Sequence, residues 1–173
     1  MQKLEALPPK ARLLFASFCA ARLLPAIRQY LRSVSEPISI NMFEEALELV
    51  WAFVLATTRE DVRKAREIEG LILDHMPSED DPQWTCIFAY AEDAMTSIVF
   101  ALRAMYSGDL KEIFWAAQTA YEAVDQFVLD TMDVEIIGPR EEQMVLQSSV
   151  VQLELERQER DLRNLAVVSL AGC

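Results

Sequence analysis

The side chains that could do chemistry in this sequence are carboxylates, and they come in two pairs at helical spacing. Glu45 and Glu48 form one pair, and Glu122 and Asp125 form the other. Residues three apart share a face of an α-helix, so each pair could offer two carboxylates to a divalent cation. Helical nucleotide pyrophosphohydrolases hold Mg²⁺ with paired motifs of this kind. In this sequence the two pairs lie much farther apart along the chain than in those enzymes. A sequence with 28 acidic residues also contains such three-residue spacings by chance.

Histidine and cysteine chemistry is sparse. The single histidine, His75, precedes Met76-Pro77 near a predicted helix C-terminus, where it is best interpreted as a helix-end cation. One histidine excludes a ferritin-like di-iron centre. Three cysteines make no disulfide framework, and Cys19 and Cys86 are expected to be buried thiols. With no phosphate-binding loop and no nucleophile elbow, we expect no catalytic residue, no cofactor and no metal. The sequence therefore favours a protein that is not an enzyme.

The negative charge is confined to the middle of the chain. Residues 74–142 contain 15 acids and three bases, a net charge of −12, which equals that of the whole chain. The remaining residues hold 13 acids and 13 bases. Such a field repels nucleic acid and anionic lipid and attracts basic proteins. The alternative is an acidic surface that serves only solubility.

An acidic loop and one face of the predicted fifth helix could together bind such a basic partner. The candidate residues are Glu79, Asp80 and Asp81 in the loop and Trp115, Glu122, Gln126, Leu129 and Asp133 on the helix. Trp115 admits three interpretations: ordinary core, a homodimer interface, or the anchor of a partner, since aromatic residues within a charged rim are typical hot spots.

The elements that must position these residues are helices. Residues 84–106 are apolar almost all round, which predicts a buried central helix; Glu92 and Asp93 at its centre argue against a membrane span. Glycine is scarce, and no long run alternates with period two. We therefore predict an all-α fold, a single domain over residues 1–173 with about six helices around the central one. No targeting segment is evident, which favours the cytoplasm.

Helix boundaries follow from capping residues and prolines. Pro25 should end or kink the first helix, Asn41 and Thr58 should cap the second and third, and Ser107-Gly108-Asp109 should separate the fourth from the fifth. The central helix is expected to start after Asp80 or Asp81. The remaining predicted elements are a loop at 136–140 and a last helix at about 142–169, with ion pairs Glu156–Arg160 and Glu159–Arg163.

Arg22 lies on the apolar stripe of the first helix. A buried charge needs a partner, so Arg22 is expected to pair with Asp93 or Glu44. Arg22 and Asp93 are thus the candidates for buried structural charges.

Two segments resemble a known family. The family consists of small helical bacterial proteins known as domain of unknown function 416. The start of this family resembles LLFASFCAARLLP at residues 13–25, and its end resembles QLELERQERDLRNLA at residues 152–166. ALELVWAFV in the second helix and the pair Asp93-Ala94 also fit that family. The resemblance implies a compact helical bundle, with dimers as an option and no established catalytic residues to carry over. Some relatives look like immunity proteins of bacterial toxin systems.

These observations lead to three functional hypotheses. The first is an immunity protein, an antitoxin whose acidic surface neutralises a basic cognate toxin such as a nuclease. The second is a housekeeping homodimer of unknown role. The third is a metal-dependent nucleotide pyrophosphohydrolase.

Overall fold

The computed structural model describes residues 2–34, 38–56, 58–132 and 138–171, and these residues form helices and turns without strands. The predicted all-α class is confirmed. In chain order the helices are α1 (Gln2–Glu5), α2 (Pro9–Ala21), α3 (Leu24–Ser33), α4 (Ile40–Leu55), α5 (Arg59–Asp74), α6 (Cys86–Ser107), α7 (Leu110–Thr131), α8 (Pro139–Gln147) and α9 (Ser149–Ala171).

The helix α6 is the centre of the bundle, as its composition predicts. It packs against α2, α3, α4, α5 and α7. Met95, Ile98 and Leu102 along its length are completely buried. Its start is later than predicted because the carboxylate of Asp81 accepts a bond from the backbone nitrogen of Gln83, which holds the preceding residues in turns. No helix in the described part of the chain is long and apolar enough to cross a membrane.

The described part of the chain contains nine helices where about six were predicted, and the difference has local causes. Pro25 divides the first helix into α2 and α3, and the four-residue α1 precedes them. Ser148 adopts an extended conformation and divides the last helix into α8 and α9; its hydroxyl accepts a bond from the Val151 backbone. Arg140, predicted in a loop, lies in the first turn of α8 after Pro139. Residues 133–137 lie outside the described part.

The capping predictions are mostly confirmed. Thr58 and Asp61 form a reciprocal capping box at the start of α5. Gly108 is left-handed at φ 66°, and Asp109 caps α7. Asn41 is not the cap of α4: the hydroxyl of Ser39 accepts the bond from the Asn41 backbone instead.

The face that α7 buries agrees only in part with the predicted one. The apolar pattern predicts a buried face formed by Leu110, Phe114, Ala117, Tyr121, Val124 and Val128. Ala117 and Val128 are buried as predicted, whereas the other four are only partly buried. Most of the buried positions of α7 carry small side chains; its buried residues are Ile113, Ala116, Ala117, Thr119, Ala120, Ala123 and Val128. Alanine lets α7 approach α6 closely, and the hydroxyl of Ser97 donates to the carbonyl of Ala116 at 2.9 Å. The large residues then cover the sides of this contact.

Arg22 is largely buried and paired, as predicted, but its partners are on α9. Its guanidinium donates to Oε1 of Glu154 at 2.9 Å and to Oδ2 of Asp161 at 2.6 Å. The predicted partners lie elsewhere: Glu44 pairs with Arg28, and Asp93 faces other acids. The pairing could not be read from sequence because more than 130 residues separate the groups.

The two cysteines that the structure describes have opposite environments. Cys19 is buried, and burial raises the pKa of its thiol to about 12, so the thiol stays protonated. Cys86, predicted to be buried, is exposed: it is the first residue of α6, and the buried residues of this helix begin at Phe88.

Candidate functional site

An open groove runs between α6 and α7 on the outside of the bundle. Its two connected parts have volumes of about 590 and 760 Å³ and share Glu92, Asp93 and Glu122. We call it the acidic groove and define it by its carboxylates Glu79, Glu92, Asp93, Glu122 and Asp130. Among the described residues that line it, none is basic. The groove is therefore a concentrated source of negative potential.

Two acids at the centre of the groove, Glu92 and Asp93, have raised pKa values. Burial raises the pKa of Asp93 to about 6, with further contributions from the charges of Glu92 and Glu122. Burial and the charge of Glu79 also raise the pKa of Glu92. Like charges in a partly desolvated groove disfavour ionisation, so a cationic side chain entering it would be stabilised by every one of them.

One end of the groove is aromatic. The rings of Trp115 and Phe100 lie 5.4 Å apart between centroids, tilted by 43°. Trp115 is 43% exposed, so it is not ordinary core. An exposed indole beside carboxylates can receive an apolar side chain or the face of a guanidinium.

The other end of the groove continues into an apolar depression of about 540 Å³ that the sequence analysis missed. The two share Cys86 and Asp130. Phe127 is 46% exposed and lies edge-on to Tyr90, whose hydroxyl donates to Asp130 at 2.6 Å. Phe127 lies off the α7 face predicted for binding. The depression is lined by residues from α3, α6 and α7 together, so the sequence of one helix gives no signal for it.

The predicted partner-binding residues are only partly brought together. Glu79, Glu122 and Gln126 line one part of the groove, and Trp115 lines the other beside Glu122. Asp80 and Asp81 are exposed on the loop next to Glu79.

One predicted residue, Leu129, does not join this face. Leu129 packs toward α8, in a small second core built by Val128, Val145 and Val151. Asp133 lies outside the described residues. The periodicity of α7 alone could not predict this position, because Leu129 packs against residues of other helices.

Each of the two predicted carboxylate pairs contains at least one carboxylate that bonds to another side chain of the protein. Glu45 bonds Lys64 at 2.5 Å, and Glu122 accepts from Gln118 at 2.8 Å. Asp125 accepts from the hydroxyl of Tyr121. Over the described residues, no group of three or more histidine, cysteine, aspartate or glutamate side chains could hold a metal ion. His75 ends α5, and its Nδ1 lies 2.8 Å from the carbonyl of Leu71.

The fold and groove define a small all-α bundle built around one buried helix. Residues 1–170 match the family described as Protein of unknown function (DUF416), and the chain belongs to this family. The predicted resemblance is thereby confirmed. A crystal structure of a DUF416 family protein from Shewanella baltica OS155 is similar, with a TM-score of 0.80 and 22% identity over 95% of this chain and 82% of that one. This similarity shows the shared fold. A comparison with curated proteins finds no match.

Proposed function

We propose that this protein is a cytoplasmic immunity protein that binds a basic toxin, such as a nuclease effector, through the acidic groove. The observation that carries the proposal is the groove itself: five carboxylates line it without a basic side chain among the described residues. A nuclease needs a basic surface to hold phosphate, and an acidic binder can cover that surface.

The parts of the groove would have different tasks. Glu79, Asp80 and Asp81 are exposed, so they should speed association through long-range attraction, which salt screens over about 8 Å at physiological ionic strength. Trp115 should slow dissociation by burying its exposed indole against the partner.

Binding kinetics against the toxin should separate these tasks. The toxin to use is the product of a toxin gene immediately upstream, where one is present. Trp115→Ala should raise the dissociation rate and cost about 2 kcal/mol of binding free energy. Neutralising Glu79, Asp80 and Asp81 together should lower the association rate at low salt and have little effect at high salt.

Matched controls keep this test specific. Leu71→Ala truncates a similarly exposed apolar residue on α5, and neutralising Glu5, Glu48 and Glu156 removes three exposed acids elsewhere. Both controls should bind as wild type. If the groove variants also bind as wild type and still protect cells from the toxin, the groove is not the binding surface. If the wild-type protein gives no protection, the immunity proposal itself is wrong.

A further inference from the structure

The outer face of α9 carries a regular stripe that nothing in the described structure covers. Its residues follow spacings of three and four: Val150, Leu153, Arg157, Arg160, Asn164 and Val167. All except Val150, Leu153 and Val167 are polar, so the stripe is basic in the middle and apolar at both ends. Leu153 is 45% exposed and Val167 is 66% exposed. A 3–4 repeat with exposed apolar residues is the pattern by which one helix packs along another.

The arginines in the middle of this stripe are free for an intermolecular contact. The predicted partner of Arg160, Glu156, is not bonded to it, and within the described residues neither Arg157 nor Arg160 takes part in an ion pair. Glu159, for which Arg163 was the predicted partner, lies on another face of α9 and forms an ion pair with Lys3 at 2.9 Å. These arginines are therefore a basic patch on a protein whose net charge is −12.

The acidic groove has the complementary order of properties. The groove is aromatic at Trp115 and acidic around Asp93 and Glu122, and the apolar depression that continues from its other end contains Phe127. Trp115 and Phe127 are 12 positions apart on α7, or about 18 Å along a helix, and the α9 stripe spans about 26 Å. A helix bearing that stripe can therefore place its arginines over the carboxylates and an apolar end at Phe127 or Trp115.

We propose that the acidic groove binds the outer face of α9 from a second copy of this chain. In a closed two-fold dimer, each copy would give its α9 to the groove of the other. This inference goes beyond the immunity proposal, because a toxin and a second copy would then compete for one groove. Self-association would thus regulate how much of the groove is open to a toxin.

The purified full chain tests this by sedimentation velocity across a range of concentrations. Glu122→Lys, in the groove, should weaken self-association about tenfold or more, because it places like charges face to face. Arg157→Glu with Arg160→Glu, on α9, should do the same. Mixing the two variants should restore association, since a basic groove then meets an acidic α9 and the second contact is wild type on both sides. All these positions are exposed, so folding should be unaffected, which thermal melting checks.

Glu48→Lys is the matched control, with the same charge change on an exposed position of α4 outside the groove; it should associate as wild type. A wild-type chain that stays monomeric at every concentration overturns the inference, and so does a dimer that survives both variants or a mixture that stays monomeric. Toxin binding by a monomeric wild type would leave the immunity proposal standing without the inference. A dimer that depends on the groove, in a protein that gives no protection from the toxin, would support the self-association inference and contradict the immunity proposal.

Discussion

The guanidinium of Arg22 ties the end of α2 to α9. Glu154, whose side chain is 5% exposed, accepts from it and also from the amide of Gln158, which bonds the carbonyl of Ala117 on α7. Three helices thus meet at one buried carboxylate. Such a network favours one arrangement of helices because each member needs the others to satisfy its charge or hydrogen bonds.

Arg22→Met should destabilise the fold by about 3 kcal/mol, because Glu154 would remain buried without its cation. Urea unfolding followed by circular dichroism measures the change. Arg28→Met is the control: Arg28 pairs with Glu44 at the surface, and its loss should cost less than about 1 kcal/mol. Equal effects of the two substitutions would mean that the Arg22 network contributes no more than a surface pair.

Asp93→Asn should stabilise the protein near pH 7. Since the folded-state pKa of Asp93 is raised to about 6, its charged form weakens the fold above that pH. The stability that protonation gives is complete below the unfolded-state pKa, near 4, and is lost as the pH rises through 6. Discounted for solvent, the gain for asparagine should be about 1 kcal/mol at pH 7 and vanish near pH 4. Urea unfolding at both pH values checks this, and a gain that persists at the lower pH contradicts it.

The α6–α7 hairpin shows what local sequence specifies. Gly108 and Asp109 predict its turn correctly, because a left-handed residue and a cap are properties of a few adjacent positions. The α7 contact surface is predicted only in part, with Ala117 and Val128 correct, because large residues outweigh alanine in a hydrophobic pattern. Close helix approach depends instead on what α6 presents, namely Ser97 and its neighbours.

Two glycines in neighbouring elements should respond oppositely to alanine. Gly70 lies inside α5, where an added Cβ meets nothing within 4 Å, so Gly70→Ala should stabilise by about 0.5–1 kcal/mol. Gly108 also has open space but sits at φ 66°, so Gly108→Ala should destabilise by about 1–2 kcal/mol. Thermal and urea unfolding of both variants test the pair. Destabilisation of Gly70→Ala, or no effect at Gly108, would contradict the backbone argument.

Across the molecule, the sequence predicts the acidic middle of the chain and the central helix but only part of the groove. Glu122, Gln126 and Trp115 were identifiable because they share one helix face. Whether Glu92 and Asp93 of α6 line the groove, and whether Phe127 lies at its end, depends on how α6 and α7 are rotated against each other. That rotation is set by contacts distant in sequence, as are the partners of Arg22.

If the groove binds a cationic partner as proposed, the half-buried Asp93 would couple that binding to the release of a proton. Near pH 6 its carboxyl is about half protonated in the free protein. A lysine or arginine bound there, from a toxin or a second copy, would lower the pKa of Asp93 toward its ordinary value. Binding would then release up to about half a proton per groove. Calorimetric binding enthalpies at that pH should therefore differ between buffers of unequal ionisation enthalpy, and Asp93→Asn should remove most of the difference. Buffer-independent enthalpies for the wild type would contradict this.

Because binding would expel a proton, the affinity of the groove for cationic partners would rise as the medium turns from mildly acidic to neutral. The groove would therefore release these partners on acidification.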